Sequence, residues 1–249
     1  MTDSADRAPA SHPSNTLHST HTDHSAALAM LQLADSFFPS GLYTQSHGLE
    51  RFMERGLHGP ALLEPLLHCY LRELAGPGDA LAARWTAHAA AGGDLELIAA
   101  VDARLEATKL SREGRLASQR CGKRLLLLGA EVFGGACLPA YAARATAGAA
   151  PGHQAVAMAL IGAAQGLGPA EAALVELHSF AVSLIGAAIR LGALDHAAGQ
   201  RLLLRARPTL AEVAAETAAL DWRDIGGFAP QIEIMQCQHA HAMMHMFVS

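Results

Sequence analysis

The stretch AEAALVELHSFAVSLIGAAIRLG, residues 170–192, is the segment of the sequence that decides the fold. Its apolar residues recur at steps of three and four, which is the spacing of one face of an α-helix. Branched apolar residues widen that face, so few positions remain for contact with solvent. The face consists of Leu174, Leu177, Ala181, Leu184 and Ala188, widened by Val182, Ile185 and Ile189. The sequence therefore predicts a long helix at the centre of the molecule.

The rest of the chain, from residue 25 onward, has the same helical character. It is rich in Ala, Leu, Glu, Arg and Gln, which are strong helix formers, and it lacks the alternating β-branched runs of strands. Clusters of Gly and Pro, such as 39–41, 76–78 and 207–208, predict breaks between helices. We expect an all-α fold, a single-domain helical bundle of about ten helices. Helices are predicted near 26–37, 43–55, 60–75, 79–91, 94–107, 111–133, 154–165, 170–192, 196–206, 209–222 and 230–246.

The composition excludes several classes of protein. The chain is 51% hydrophobic and only 16% charged, against about 25% charged on average, and this apolar excess favours permanent protein partners. A net charge of −5 argues against a broad nucleic-acid surface. The N-terminus lacks a secretory pattern, which predicts a cytoplasmic protein. The uncharged stretch 145–170 is interrupted by Pro and Gly, so we do not expect a membrane span.

Residues 1–24 differ from the rest of the chain, because they are polar and rich in Ser, Thr, Pro and His. Such a segment cannot bury enough apolar area to offset the entropy of ordering, so we expect a disordered tail. Its histidines allow two interpretations, a weak metal-binding tract or a solvated tail without ligands. These histidines are His12, His18, His21 and His24.

The stretch LQLADSFFPSGLYTQSHGLE, residues 31–50, places Ser46, His47 and Glu50 close together after a Pro-Ser-Gly break. One hypothesis is a serine hydrolase site using Ser46 and His47. However, adjacent residues of a helix point about 100° apart, and the stretch lacks the Gly-x-Ser-x-Gly pattern of a nucleophile elbow. The favoured interpretation is a helix corner whose polar groups serve the backbone and a partner.

A second cluster, TKLSREGRLASQRCGKRLL, spans residues 108–126 and concentrates basic residues in one predicted helix. One interpretation is a surface that binds anions or presents an arginine finger to a nucleotide enzyme; the other is a solvated helix face. The residues of the stripe are Lys109, Arg112, Arg120, Lys123 and Arg124, with Arg115 close by.

The chain ends in GGFAPQIEIMQCQHAHAMMHMFVS, residues 226–249. Two glycines permit a bend, and a proline suits the first turn of a new helix. Cys237, His241 and His245 fall at four-residue steps, so at most two of them can share one metal ion. Several methionines make the segment adaptable, as partner-binding surfaces often are. We therefore expect a docking segment rather than a metal site.

These three segments together resemble the UreF family of urease accessory proteins. The stretch from Leu31 to Glu50 is similar to the opening of that family, and Glu113, Arg115, Ser118 and Gly122 match its middle motif. Residues 172–192 and the end of the chain are also similar to the family pattern. The match covers roughly residues 25–249, in order.

The resemblance implies an all-α, non-enzymatic chaperone of urease maturation. We also expect a cytoplasmic protein with no cofactor and no metal-ligating residues among its site residues. Such proteins form homodimers, bind the UreD-type (UreH-type) scaffold and recruit the UreG-type GTPase, which couples GTP hydrolysis to nickel delivery into apo-urease. A nickel storage protein is the alternative. The residues that the resemblance assigns to partner binding are Ser36, Pro39, Gly41, Ser46, Glu50, Glu113, Arg115, Ser118, Gly122, Met243, Met246 and Phe247.

Overall fold

A computed structural model describes residues 24–56 and 58–239 of the chain. Within those ranges every regular element is a helix, which confirms the all-α prediction. The α-helices are α1 (Ser25–Ala34), α2 (Leu49–Glu54), α3 (Pro60–Tyr70), α4 (Leu81–Ala91), α5 (Leu95–Thr108), α6 (Arg112–Val132), α7 (Leu138–Thr146), α8 (Gln154–Ala164), α9 (Pro169–Arg190), α10 (His196–Glu216) and α11 (Pro230–His239). Short 3₁₀ turns lie at Leu42–Thr44, Thr217–Ala219 and Trp222–Asp224, and Leu71–Ala80 is a π-helix.

Helix α9 is central, as its apolar pattern predicts. It contacts α4, α8, α10 and the π-helix, and most of its residues are buried. It is long and apolar enough to cross a membrane, but 67% of its most apolar window is buried against other helices. That burial is the behaviour of a core helix.

The two largest of four apolar clusters form most of the core, and both include residues of α9. One joins α9 and α10 to α3, the π-helix and α11, and includes Leu67, Leu177 and Ile232. The other joins α1, α6, α7 and α8, and includes Leu33, Leu126 and Tyr141. The amphipathic helices of each cluster therefore bury their apolar faces against one another, and the two clusters form two layers of the fold.

The predicted break at 76–78 is wrong, because the chain stays helical through the π-helix. A side chain at Gly76 would lie 2.4 Å from Val213 Cγ1 of α10, so glycine permits close packing there. The linker before α11 donates hydrogen bonds to two backbone carbonyls of the π-helix. Gly226 N donates to Pro77 O, and Phe228 N donates to Glu73 O, each at 3.0 Å.

The predicted break at 207–208 is also wrong. Helix α10 continues through Pro208 to Glu216, because Leu202, Leu210 and Val213 keep one continuous buried face and tertiary packing overrides the local cost of proline.

Two further elements differ from the predictions. Helix α7, Leu138–Thr146, lies in a stretch for which we predicted no helix; Pro139 occupies its first turn, where proline is well tolerated. The predicted helix at 43–55 is interrupted, because His47 (φ 54°) and Gly48 (φ 82°) are left-handed and α2 begins only at Leu49. The expectation of a disordered tail falls, apart from His24, outside the described residues.

Candidate functional site

A cavity of about 120 Å³ lies where several separate segments of the chain meet. Its walls come from residues 39–48, which we call the corner, from the π-helix, the α5–α6 loop, α9 and α11. The lining is unusually polar for the interior of a helical protein. Its polar residues are Gln45, His47, Asp79, Thr108, Lys109, Ser111, Glu113, Ser118, Gln154, Glu176, Glu233 and Gln236.

Two charged groups and one buried carboxyl define the chemistry of this central cavity. Lys109 Nζ lies 2.7 Å from Asp79 Oδ2 in a partly buried ion pair. Glu176, on α9, is only 4% exposed, and Gln154 Nε2 donates to its Oε2 at 3.3 Å. Burial raises the pKa of Glu176 from 4.5 to about 8; the charge of Asp79 also raises this pKa, while Lys109 and the Gln154 hydrogen bond lower it.

The raised pKa of Glu176 predicts a pH-dependent stability. Since its pKa in the folded state, about 8, exceeds the unfolded value of 4.5, its contribution is full below the unfolded pKa and is lost as the pH rises towards 8. The neutral variant Glu176→Gln escapes this loss. We therefore expect its free energy of unfolding, relative to wild type, to grow by about 2 kcal/mol between about pH 6 and about pH 8.

Urea denaturation at the two pH values measures the difference in free energy of unfolding between Glu176→Gln and wild type. Both proteins contain the same histidines, so the effect of histidine titration cancels in this difference. Glu131→Gln, the same substitution at an exposed position of α6, is the matched control. A difference between Glu176→Gln and wild type that does not change with pH would contradict the prediction.

The corner has a shape that only particular residues allow. Gly41 is left-handed at φ 74°, and a side chain there would lie 2.5 Å from Cys121 Sγ of α6. Ser183 Oγ of α9 donates to Leu42 O at 2.8 Å. Of the predicted partner-binding residues in and beside the corner, Ser36 and Pro39 are exposed, while Glu50 is partly buried. Contacts with α6 and α9 therefore fix the inner side of the corner, while its outer side is exposed to solvent.

The geometry gives no support to a hydrolase site at Ser46 and His47. Ser46 is 0% exposed, so an ester cannot reach its hydroxyl. The His47 imidazole lies 3.4 Å from Ser183 Oγ and contacts the Phe180 ring at a tilt of 48°, with ring centroids 4.6 Å apart. Burial, with a smaller effect of the Lys109 charge, lowers the pKa of His47 to about 4.

Helix α6 turns Ser118 and Gly122 inward, towards the loop before α8. Ser118 Oγ lies 3.0 Å from His153 Nδ1 and accepts from Gln154 N at 3.3 Å. A side chain at Gly122 would lie 2.1 Å from Gly152 O. Both residues therefore contact the interior of the protein and not its surface.

Arg115 and Lys109 hold the α5–α6 loop. The Arg115 guanidinium donates to Leu110 O at 3.1 Å and to Lys109 O, and its Nε lies 3.7 Å from Glu106 Oε1. The prediction that Lys109 joins the exposed basic stripe is wrong, because the Lys109 side chain pairs with Asp79 at the cavity. Glu113 is partly buried and lines the same cavity.

Sequence reasoning missed a buried polar network beneath α6. Asp102, on α5, is 0% exposed and accepts three hydrogen bonds, from Tyr141 Oη at 2.6 Å, Gly152 N at 2.6 Å and His153 N at 3.1 Å. His153 Nε2 also lies 2.7 Å from Glu106 Oε2. The available signal was a carboxylate on the apolar face of α5, four residues after Ile98.

Helix α11 packs against the corner side of the core. Ile232 and Met235 are buried in the cluster that contains Leu49 and Phe52, and Gln236 Nε2 donates to His47 O at 3.4 Å. Met243, Met246 and Phe247 lie outside the described residues, as do His241 and His245. Among the described residues there is no group of three or more His, Cys, Asp or Glu that could hold a metal ion.

The fold and the site define an all-α protein in which the corner, α6 and α11 meet around a polar cavity. The model of the UreF family matches residues 57–207. The urease accessory protein UreF of Paenarthrobacter aurescens is 36% identical over 223 residues, covering 89% of this chain and 97% of that protein. The chain belongs to the UreF family.

Two other relatives show the same extent of similarity. The urease accessory protein UreF of Lachnoclostridium phytofermentans is 31% identical and covers 89% of this chain and 98% of its own length. That of Trichodesmium erythraeum is 28% identical and covers 92% and 99%. The similarity therefore extends over nearly the whole length of each relative and supports a role in urease maturation.

Proposed function

We propose that this protein is a cytoplasmic chaperone that helps to assemble the nickel centre of urease. It acts as a homodimer that binds a UreD-type scaffold, recruits a UreG-type GTPase and supports nickel delivery into apo-urease. The observation that carries this proposal is family membership along nearly the whole chain. The meeting of the corner, α6 and α11 in one place supports it, because a partner can contact all three together.

The surface near these segments has the apolar residues that a partner would bury. Phe37 before the corner is 94% exposed and Tyr43 within it is 68% exposed. Phe228 and Ile234 are exposed beside and within α11. Large aromatic side chains that are exposed to solvent are typical of protein-interaction sites.

The test of the proposal is reconstitution in cells. Co-expression with the other urease accessory proteins should give a complex that carries the scaffold and the GTPase, and urease activity that depends on this chain. A chain that captures neither protein and leaves urease activity unchanged on deletion would overturn the proposal.

The docking segment gives a sharper prediction. Since α11 contributes Ile232 and Met235 to the core, a deletion that tests the docking segment must begin after α11. We expect deletion of residues 240–249 to abolish scaffold binding while the rest of the protein remains folded. Phe247→Ala removes one large apolar anchor, at a cost on the order of 2–4 kcal/mol. The dissociation constant measured by interferometry should therefore rise roughly thirtyfold or more.

Leu204→Ala is the control for Phe247→Ala, because it removes an exposed apolar side chain of α10, outside the corner, α6 and α11, and should change scaffold binding less than about threefold. If the chain lacking 240–249 still captures the scaffold at full affinity, the docking segment is not the anchor, and the corner becomes the candidate interface.

A further inference from the structure

The outward side of α6 carries arginine and leucine in one stripe. Positions separated by three or four residues share a helix face, and these are all exposed over about 22 Å of helix. We call this stripe the α6 face; it comprises Arg112, Leu116, Arg120, Arg124 and Leu127, with Lys123 partly buried at its side.

The cations of the α6 face are not neutralised by neighbouring carboxylates. Within the part of the chain that the structure describes, Arg112, Arg120, Lys123 and Arg124 form no ion pair. Elsewhere arginine is commonly paired, as Arg72 is with Glu212 and Arg144 is with Glu96. Four free cations on one helix give a local positive potential on a chain of net charge −5.

The leucines of the face distinguish it from an ordinary solvated helix. Leu116 is 44% exposed and Leu127 is 56% exposed, between and beside the arginines. A solvated face is stabilised by alternating Glu and Lys pairs, whereas arginine beside apolar side chains is typical of protein interfaces. Both the charge and the apolar area therefore indicate a surface that another molecule covers.

We propose that the α6 face docks an acidic surface of a protein partner in urease maturation, an inference that rests on the proposed function. Charge complementarity selects this occupant, because the free cations steer an acidic surface and pair with its carboxylates. A second copy of the chain does not fit, since a two-fold contact on this face would bring Arg120 and Arg124 against the same residues of the partner copy. Like charges in that arrangement repel.

Charge reversal with a matched control tests the proposal. Arg120→Glu/Arg124→Glu reverses two cations of the α6 face, and Arg201→Glu/Arg207→Glu reverses two exposed cations of α10, so both variants carry the same net charge. Purified UreG-type and UreD-type proteins of the same organism are the probes in interferometry. We expect the first variant to lose about a hundredfold in affinity for one of them and the second to stay within about threefold of wild type.

Salt and fold are measured on the same proteins. The association rate constant of the wild type should fall about tenfold or more between about 50 and about 500 mM NaCl. Far-UV circular dichroism checks that each variant is folded. If the glutamate variant is not, Arg120→Gln/Arg124→Gln replaces it, with an expected loss of about tenfold against unchanged binding by Arg201→Gln/Arg207→Gln.

The outcomes separate the inference from the proposed function. Wild type that binds a probe, with both double variants binding equally well, overturns the inference and leaves the function standing. Wild type that binds neither probe overturns both. Affinity of the α6 face for a fluorescent single-stranded RNA, without affinity for either protein, would assign it to a nucleic acid and also overturn the inference.

Discussion

Asp102→Ala should lower the free energy of unfolding by about 4 kcal/mol, because it strips three buried donors of their shared acceptor. The carboxylate joins α5 to Tyr141 of α7 and to the backbone at Gly152 and His153. A buried N–H or O–H that loses its partner bears the full cost of its desolvation. For a protein of this size the melting temperature should fall by about 8–16 °C.

Two controls separate this network from simple loss of volume. Tyr141→Phe removes one of the three donors together with its hydrogen bond and should cost about 1–2 kcal/mol. Asp102→Asn keeps one acceptor oxygen but sets an amide N–H₂ against donors, so its stability should lie between those of Asp102→Ala and wild type. If Asp102→Ala melts within about 2 °C of wild type, the network does not hold α5 to the loop before α8.

Gly122→Ala should be the second most damaging substitution. The added methyl group would lie 2.1 Å from Gly152 O, 2.5 Å from His153 C and 2.7 Å from Gln154 N. All three are backbone atoms of a segment pinned by Asp102, so α6 itself must move away. We expect a loss of about 3 kcal/mol or more in the free energy of unfolding, measured by urea denaturation.

Gly114→Ala is the matched control on the same helix. The nearest atoms to a side chain there belong to Ser111, at 3.6 Å, which is ordinary contact. Alanine is a better helix former than glycine, so this variant should gain about 0.5–1 kcal/mol. Equal effects of the two substitutions would show that helix propensity, and not the contact of α6 with residues 152–154, governs Gly122.

The motif Glu113, Arg115, Ser118 and Gly122 illustrates how far the sequence reaches. Its place on a helix was predictable from local spacing, and α6 confirms it. What Ser118 and Gly122 contact was not predictable, because the contacts come from the loop before α8; Ser118 lies against His153, which is 35 positions further along the chain. Ser118 and Gly122 proved to be buried, and their assigned role in partner binding stays a proposal.

The breaks that we predicted at Gly-Pro-Gly 76–78 and at Pro208 fail for a related reason. Glycine and proline raise the free energy of forming a helix in an isolated chain, and the predicted breaks rest on that local effect. In the folded protein, packing against α10 and hydrogen bonds from the linker at Gly226 and Phe228 offset that cost. A local rule cannot include atoms that are distant in the sequence.

By itself the sequence determined the helical class, the central position of α9 and the place of the corner, because periodicity and glycine requirements act over a few residues. Only the tertiary structure decided which polar groups are buried together. Packing between helices that are far apart in the chain brings Asp102 to the backbone of His153. It also brings Glu176 close to Asp79. Their hydrogen bonds and the raised pKa of Glu176 arise from that enclosure, since low exposure to water penalises an unpaired donor and an ionised carboxylate alike.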